Sequence, residues 1–263
     1  MRSILKLRTV RAMGARLLLL VCIVAISSLV YEPAAACHPE QIDGGGPSGP
    51  GHHGCDGPKG NPPPDPDEGP ATRTDTALER AGLTRIRTLA PSVHLDIRYA
   101  TRRNFTGRPL DGYCRPPYAY LLRPAARSLG AVQRDLRERG LGLKVFDAYR
   151  PARASRAMMR WARRTGNEHL LNGYIAERSR HNEGGAVDLT LVRLASGREV
   201  NMGTAYDTFS SRAATENAHG SVLHNRRLLV RSMAARGFVN YSREWWHYEH
   251  GRPARRLDVP LGC

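Results

Sequence analysis

The stretch Ser179-Arg180-His181-Asn182-Glu183-Gly184-Gly185-Ala186-Val187-Asp188-Leu189-Thr190-Leu191 decides how this chain reads. Ala186 to Val192 has the composition of a strand, and Gly184-Gly185 before it supplies a turn that residues with a Cβ adopt poorly. His181 and Asp188 bracket that turn. Seven residues apart, they would face opposite sides of a straight strand, but the glycine turn breaks the alternation and lets both converge on one point. Asp188 lies inside an apolar run, where a carboxylate without a partner is costly to bury. A metal ion removes that cost.

Two further segments bring unusual polar residues to element ends. In Arg243-Glu244-Trp245-Trp246-His247-Tyr248, a glutamate precedes a histidine by three residues among large aromatics. Two imidazoles and one carboxylate (His181, His247 and Asp188) match the ligand set of catalytic zinc, which keeps its fourth position for water. Zinc lowers the pKa of that water to about 7, and a nearby Glu244 can take its proton and pass it to a leaving amine. In Phe146-Asp147-Ala148-Tyr149-Arg150-Pro151, Arg150 follows a strand and precedes a helix, a position from which it can stabilise oxyanion charge. Each residue alone has a plainer reading. A lone histidine is usually structural, Arg150 could be a surface ion pair, and Glu244 could pair with Arg243. Their joint occurrence favours a site.

Outward from these segments, folded sequence begins near Thr74. Val93, Leu95, Ile97 and Tyr99 alternate with polar residues and predict a half-buried strand. Pro124 to Arg139 reads as a helix with Leu129, Val132 and Leu136 on one face, stopped by Gly140. Leu143 to Tyr149 is a second strand, and Ala152 to Arg164 a second helix with Met158, Met159 and Trp161 as core candidates. Ser196-Gly197 turns the Ala186 strand back towards Val200. Ser221 to Arg236 forms a third helix, and Phe238 to Tyr248 a final aromatic strand. This order predicts an α+β fold: a single domain whose central antiparallel sheet is flanked by helices, with the zinc site on the sheet.

Residues 1–36 read as a signal peptide. Arg2, Lys6, Arg8, Arg11 and Arg16 precede an apolar run from Leu17 to Val30, and Ala34-Ala35-Ala36 offers a cleavage site. The run is short for a bilayer span. The expected location is therefore outside the cytoplasm, and Cys37 is a candidate for lipid modification. Residues 37–73 form a Gly/Pro-rich linker: nine prolines and nine glycines fall between His38 and Pro70, with Ile42 the only large aliphatic residue. Residues 74–263 are the catalytic domain. After loss of the signal, Cys37, Cys55, Cys114 and Cys263 permit two disulfides in any of three pairings, and none forms a CxxC motif. The 263 residues carry a formal charge of +16 from 40 Lys+Arg and 24 Asp+Glu. Removing five cations and Glu32 with the signal leaves +12. That charge suits an anionic cell-wall polymer or membrane surface, while no nucleic-acid motif is present.

The SxHxxGxAxD segment, the late ExxH and the upstream Tyr-Arg-Pro resemble the D-alanyl-D-alanine metallopeptidases, and most closely the VanX-type dipeptidases. Asp96-Ile-Arg-Tyr99-Ala-Thr, Asn104-Phe-Thr-Gly107, Asp188-Leu-Thr-Leu191, Met202-Gly-Thr and Glu244-Trp-Trp-His247-Tyr carry that closer likeness. It implies one zinc held by His181, Asp188 and His247, with Glu244 as catalytic base and acid and Arg150 on the tetrahedral intermediate. It further implies that Tyr99 and Asp207 recognise the free amine of a D-Ala-D-Ala dipeptide and that Ser179 lies near the substrate. None of these last three residues is singled out by spacing or periodicity. The best-known members act in the cytoplasm, so an export signal points to processing of released wall dipeptides, for nutrition or turnover, rather than to vancomycin resistance. A D,D-carboxypeptidase acting on stem peptides and an inert wall-binding module are the alternatives. Retention of Glu244 and Arg150 argues against the inert module.

Overall fold

Seven of the eight residues of the strand Ala186–Arg193 are buried, because it lies at the centre of a sheet and is covered on both faces. The computed structural model describes residues 73–113 and 118–261. The expectations for the signal and the cysteines fall outside these described residues, as does the linker up to its last residue, Arg73, which opens the first helix.

The elements in chain order are α1 (Arg73–Arg80), β1 (Leu83–Arg85), α2 (Ile86–Leu89), β2 (His94–Leu95), β3 (Tyr120–Leu122) and α3 (Arg123–Arg137). There follow β4 (Leu141–Asp147), α4 (Ala152–Arg164), β5 (Ala186–Arg193), α5 (Gly220–Ala234), β6 (Phe238–Asn240) and β7 (His247–His250). Short 3-10 turns cover Arg98–Ala100, Glu168–Leu171, Arg180–Glu183 and Ser211–Ala213. The main sheet runs β2-β4-β5-β7-β6, and β1 pairs with β3 in a small second sheet. The expected α+β class holds. All pairs of the main sheet are antiparallel except β2 with β4, which is parallel.

Helix α3 forms as its periodicity predicts. Pro124 occupies the first turn, where its missing N–H costs nothing. Leu129, Val132 and Leu136 are buried, and Gly140 ends the segment at φ +67°. In α4, Ala154, Ala157, Met158 and Ala162 face inward, while Met159 and Trp161 are only partly buried. The turn at Ser196-Gly197 is present, with Gly197 at φ +64° and Val200 N–H donating to Leu191.

Two strand expectations need correction. The 93–99 segment pairs only at His94–Leu95 and then tightens into the Arg98–Ala100 turn, which buries Tyr99. The 238–248 segment is not one strand but part of a hairpin, with Phe238 opposite His250 and Asn240 opposite Tyr248. The Asn240 side chain causes the reversal, donating at 2.9 Å to the carbonyls of both Glu244 and His247. Glu244 therefore sits in a turn, and His247 opens β7.

Candidate metal centre

The register of three strands assembles the centre. Asp188 on β5 lies opposite His247 on β7 and opposite Asp147 on β4. The register between β4 and β5 shifts by one residue between Val145 and Asp147, a bulge that brings Asp147 level with Asp188. His181 arrives from the 3-10 turn before β5. Ser179 caps that turn: its side chain accepts from the His181 N–H, and its own N–H donates to Asn182. Gly184 closes the turn at φ +70°, and an added Cβ there would lie 2.9 Å from Leu83. The glycine turn therefore does converge His181 on Asp188.

Three potential ligand atoms meet. His181 Nε2 is 3.2 Å from Asp188 Oδ1 and 3.1 Å from His247 Nδ1, and His247 Nδ1 is 2.9 Å from Asp188 Oδ1. All three residues are buried. Ligand atoms about 2.0–2.1 Å from a tetrahedral zinc stand about 3.3 Å apart, so this spacing fits that ion. The electrostatics agree. Burial alone would lower the His247 pKa, but hydrogen bonds to Asp188 and Glu249 outweigh it and push it up to about 10. Burial alone would raise the Asp188 pKa, yet the two imidazoles hold it well below the usual carboxylate range. The pocket is built to hold positive charge, whether a proton or a metal.

The outer contacts fix the ligand orientations. His181 Nδ1 lies 2.6 Å from the Ala148 carbonyl, and His247 Nε2 lies 3.4 Å from Glu249. Glu244 is not part of the triad but lines the same cavity of about 240 Å³. Burial raises its pKa to about 7, opposed by the positive charges of His247 and Arg150 and reinforced by Asp188. The buried Arg150 guanidinium grips Asp147 at 2.7 and 2.8 Å and lies 3.6 Å from Asp188. It also lies over the Tyr99 ring, 4.9 Å from its centroid.

The structure gathers the remaining sequence-predicted residues here as well. Ser179, Tyr99 and Asp207 line the cavity. Tyr99 donates to Asp207 Oδ1 at 3.0 Å. Asp207 holds φ +61°, the only positive φ of a non-glycine among the described residues. Its Oδ2 is buried and has no hydrogen-bond partner among them. Burial, then the nearby Asp188 charge, raises its pKa well above the ordinary value.

Sequence reasoning missed Asp147 and Tyr206. Asp147 is fully buried and takes a 2.6 Å hydrogen bond from Tyr113 in addition to Arg150. Its signal, a carboxylate in a strand three residues before Arg150, stood in the quoted segment. Tyr206 donates to Asp188 at 2.9 Å and also contacts Tyr99, and nothing but its place beside Asp207 marked it.

Comparison with known proteins gives a consistent answer. A Peptidase M15 family model described as D-ala-D-ala dipeptidase matches residues 79–259. The D-alanyl-D-alanine dipeptidase of Enterococcus faecium is 37% identical over 204 residues, covering 68% of this chain and 98% of that protein. The namesake of Streptomyces coelicolor is 35% identical over 192 residues, covering 66% and 95%. That of Escherichia coli is 30% identical over 169 residues, covering 64% and 83%.

Proposed function

Since the chain belongs to the D-Ala-D-Ala dipeptidase family of M15 peptidases, we propose that it hydrolyses the free dipeptide D-Ala-D-Ala. It is a zinc metallopeptidase, as its family is. His181, Asp188 and His247 would hold the zinc. The observation that carries this assignment is the convergence of their three ligand atoms within 3.2 Å of one another. When bound, zinc supplies Lewis acidity that activates water and polarises the scissile carbonyl.

The chain's own residues do the rest. A Glu244 carboxylate oxygen takes a proton from the attacking water and returns it to the departing amine nitrogen. A pKa raised towards neutrality by burial suits a group that must both accept and donate. The Arg150 guanidinium, held on Asp147, faces the negative charge that develops on the former carbonyl oxygen. Asp207 Oδ2, buried and without a hydrogen-bond partner among the described residues, supports recognition of the dipeptide's ammonium, which would pair with it and draw it into its ionised form. Tyr99 orients that carboxylate. Ser179, at the cavity wall, would lie near the substrate.

The order of basic, apolar and small residues in 1–36 supports export. An exported enzyme with +12 of mature charge suits peptides released from an anionic cell wall. The direct test is incubation of the zinc-loaded protein with D-Ala-D-Ala. Release of free D-alanine, abolished by a chelator and restored by zinc, is expected. No release by protein shown to carry zinc overturns the proposal.

A further inference from the structure

Tyr206 occupies a place in the site that no assigned role accounts for. Its ring is fixed on two sides: stacked on Phe146 at 4.7 Å between centroids and edge-on to Trp246 at 5.5 Å. Its hydroxyl lies 2.9 Å from Asp188 Oδ2 and 3.0 Å from the Tyr99 hydroxyl, which in turn lies 3.0 Å from Asp207 Oδ1. A phenol has one hydrogen, and a carboxylate is a stronger acceptor than another phenol. The Tyr206 hydrogen therefore goes to Asp188, as the Tyr99 hydrogen goes to Asp207. The other neighbour of Asp188 Oδ2 is Arg150 Nη2 at 3.6 Å, beyond good hydrogen-bond distance.

The two oxygens of Asp188 are thus used differently. Oδ1 faces His181 and His247, at 3.2 and 2.9 Å, while Oδ2 is held from behind. We propose that Tyr206 is a positioning residue that pins Asp188 by Oδ2, so that Oδ1 alone joins the two imidazoles. The inference rests on the zinc site proposed above. Without the hydroxyl, the Asp188 carboxylate can rotate about its last bond and present both oxygens to the cavity.

The test is Tyr206→Phe in the full chain, which keeps the ring and its stacking. Chelator competition should show zinc held about 10-fold or more weakly, the scale expected for loss of an outer contact to a ligand. The visible absorption spectrum of the cobalt(II)-substituted variant should differ from wild type, because the carboxylate is no longer held to one oxygen. Tyr99→Phe serves as the contrast: it should raise KM for the dipeptide and leave zinc affinity within about 2-fold, since the contact to Asp188 survives. Equal zinc affinity and an unchanged cobalt spectrum in Tyr206→Phe overturn the inference. A metal-free Tyr206→Phe that melts well below metal-free wild type also overturns it, by tracing the loss to folding. A wild-type chain that binds no zinc sinks the parent reading instead, so the two failures are distinguishable.

Discussion

His181 Nδ1 stands 2.6 Å from the backbone oxygen of Ala148, one residue past the bulged end of β4. A backbone oxygen can only accept, so Nδ1 carries the hydrogen and Nε2 keeps its lone pair towards Asp188 and His247. The bulge therefore does two jobs. It brings Asp147 level with Asp188, and it sets the carbonyl that selects the His181 tautomer.

The triad predicts a clear result in metal analysis. Wild-type protein should carry about one zinc per chain, and His181→Ala, Asp188→Ala and His247→Ala should each lose most of it under mild chelation. Elemental analysis after gel filtration is the measurement. Full retention in all three variants contradicts the assignment.

Glu244→Gln should keep zinc and fold but lose turnover by about 10²–10⁴-fold, because the amide cannot take the proton. The base acts as a carboxylate, so activity is lost as pH falls through its pKa. Burial lifts that value to about 7 in the metal-free site, and the charge of a bound dication pulls it back towards 4.5. The acid limb of kcat/KM should lie between these two values. A profile with no limb above 4.5 contradicts the part assigned to burial.

Among the described residues, Arg226 has no carboxylate partner in its hydrogen bonds, although it is almost wholly buried. It donates instead to the carbonyls of Met202, Arg212, Ala214 and Asn217, at both ends of the loop that carries Tyr206 and Asp207. Arg226→Met strands those oxygens and should cost about 2–4 kcal/mol in urea unfolding. The KM for the dipeptide should rise while zinc content stays at wild-type level. A variant as stable as wild type contradicts the clamp.

How much of this was legible in the sequence follows from which interactions are local. Helices α3 and α4 and strand β5 could be read because apolar spacing, Pro124, Pro151 and Gly140 act within a few residues. The convergence of His181 and Asp188 was legible for the same reason, since Gly184 permits the turn that causes it. The break between β6 and β7 was hidden because Trp245, Trp246 and Tyr248 have strand propensity, whereas the Asn240 side chain decides the reversal. Asp147 and Tyr206 depend on partners set by register: a bulge in one case, and a contact across 18 residues in the other. The spacing of Asp147 from Arg150 is local, but no local pattern encodes the register that places it, and none marks Tyr206.

Export makes a prediction of its own. Cell fractionation with N-terminal sequencing should find the protein outside the cytoplasm, beginning near Cys37. An intact form starting at Met1 in the cytosol contradicts the reading of residues 1–36.

The central claim is that a zinc site and an ammonium-recognising carboxylate, Asp207, share one small cavity and cleave a free dipeptide. The most direct measurement compares initial rates of D-alanine release by zinc-loaded protein from D-Ala-D-Ala and from its N-acetylated form. The free dipeptide should be cleaved faster by about two orders of magnitude or more, because the acetylated one leaves Asp207 buried without a charge to pair with. Cleavage of the acetylated dipeptide at the same rate would contradict the account and favour a carboxypeptidase acting on longer peptides.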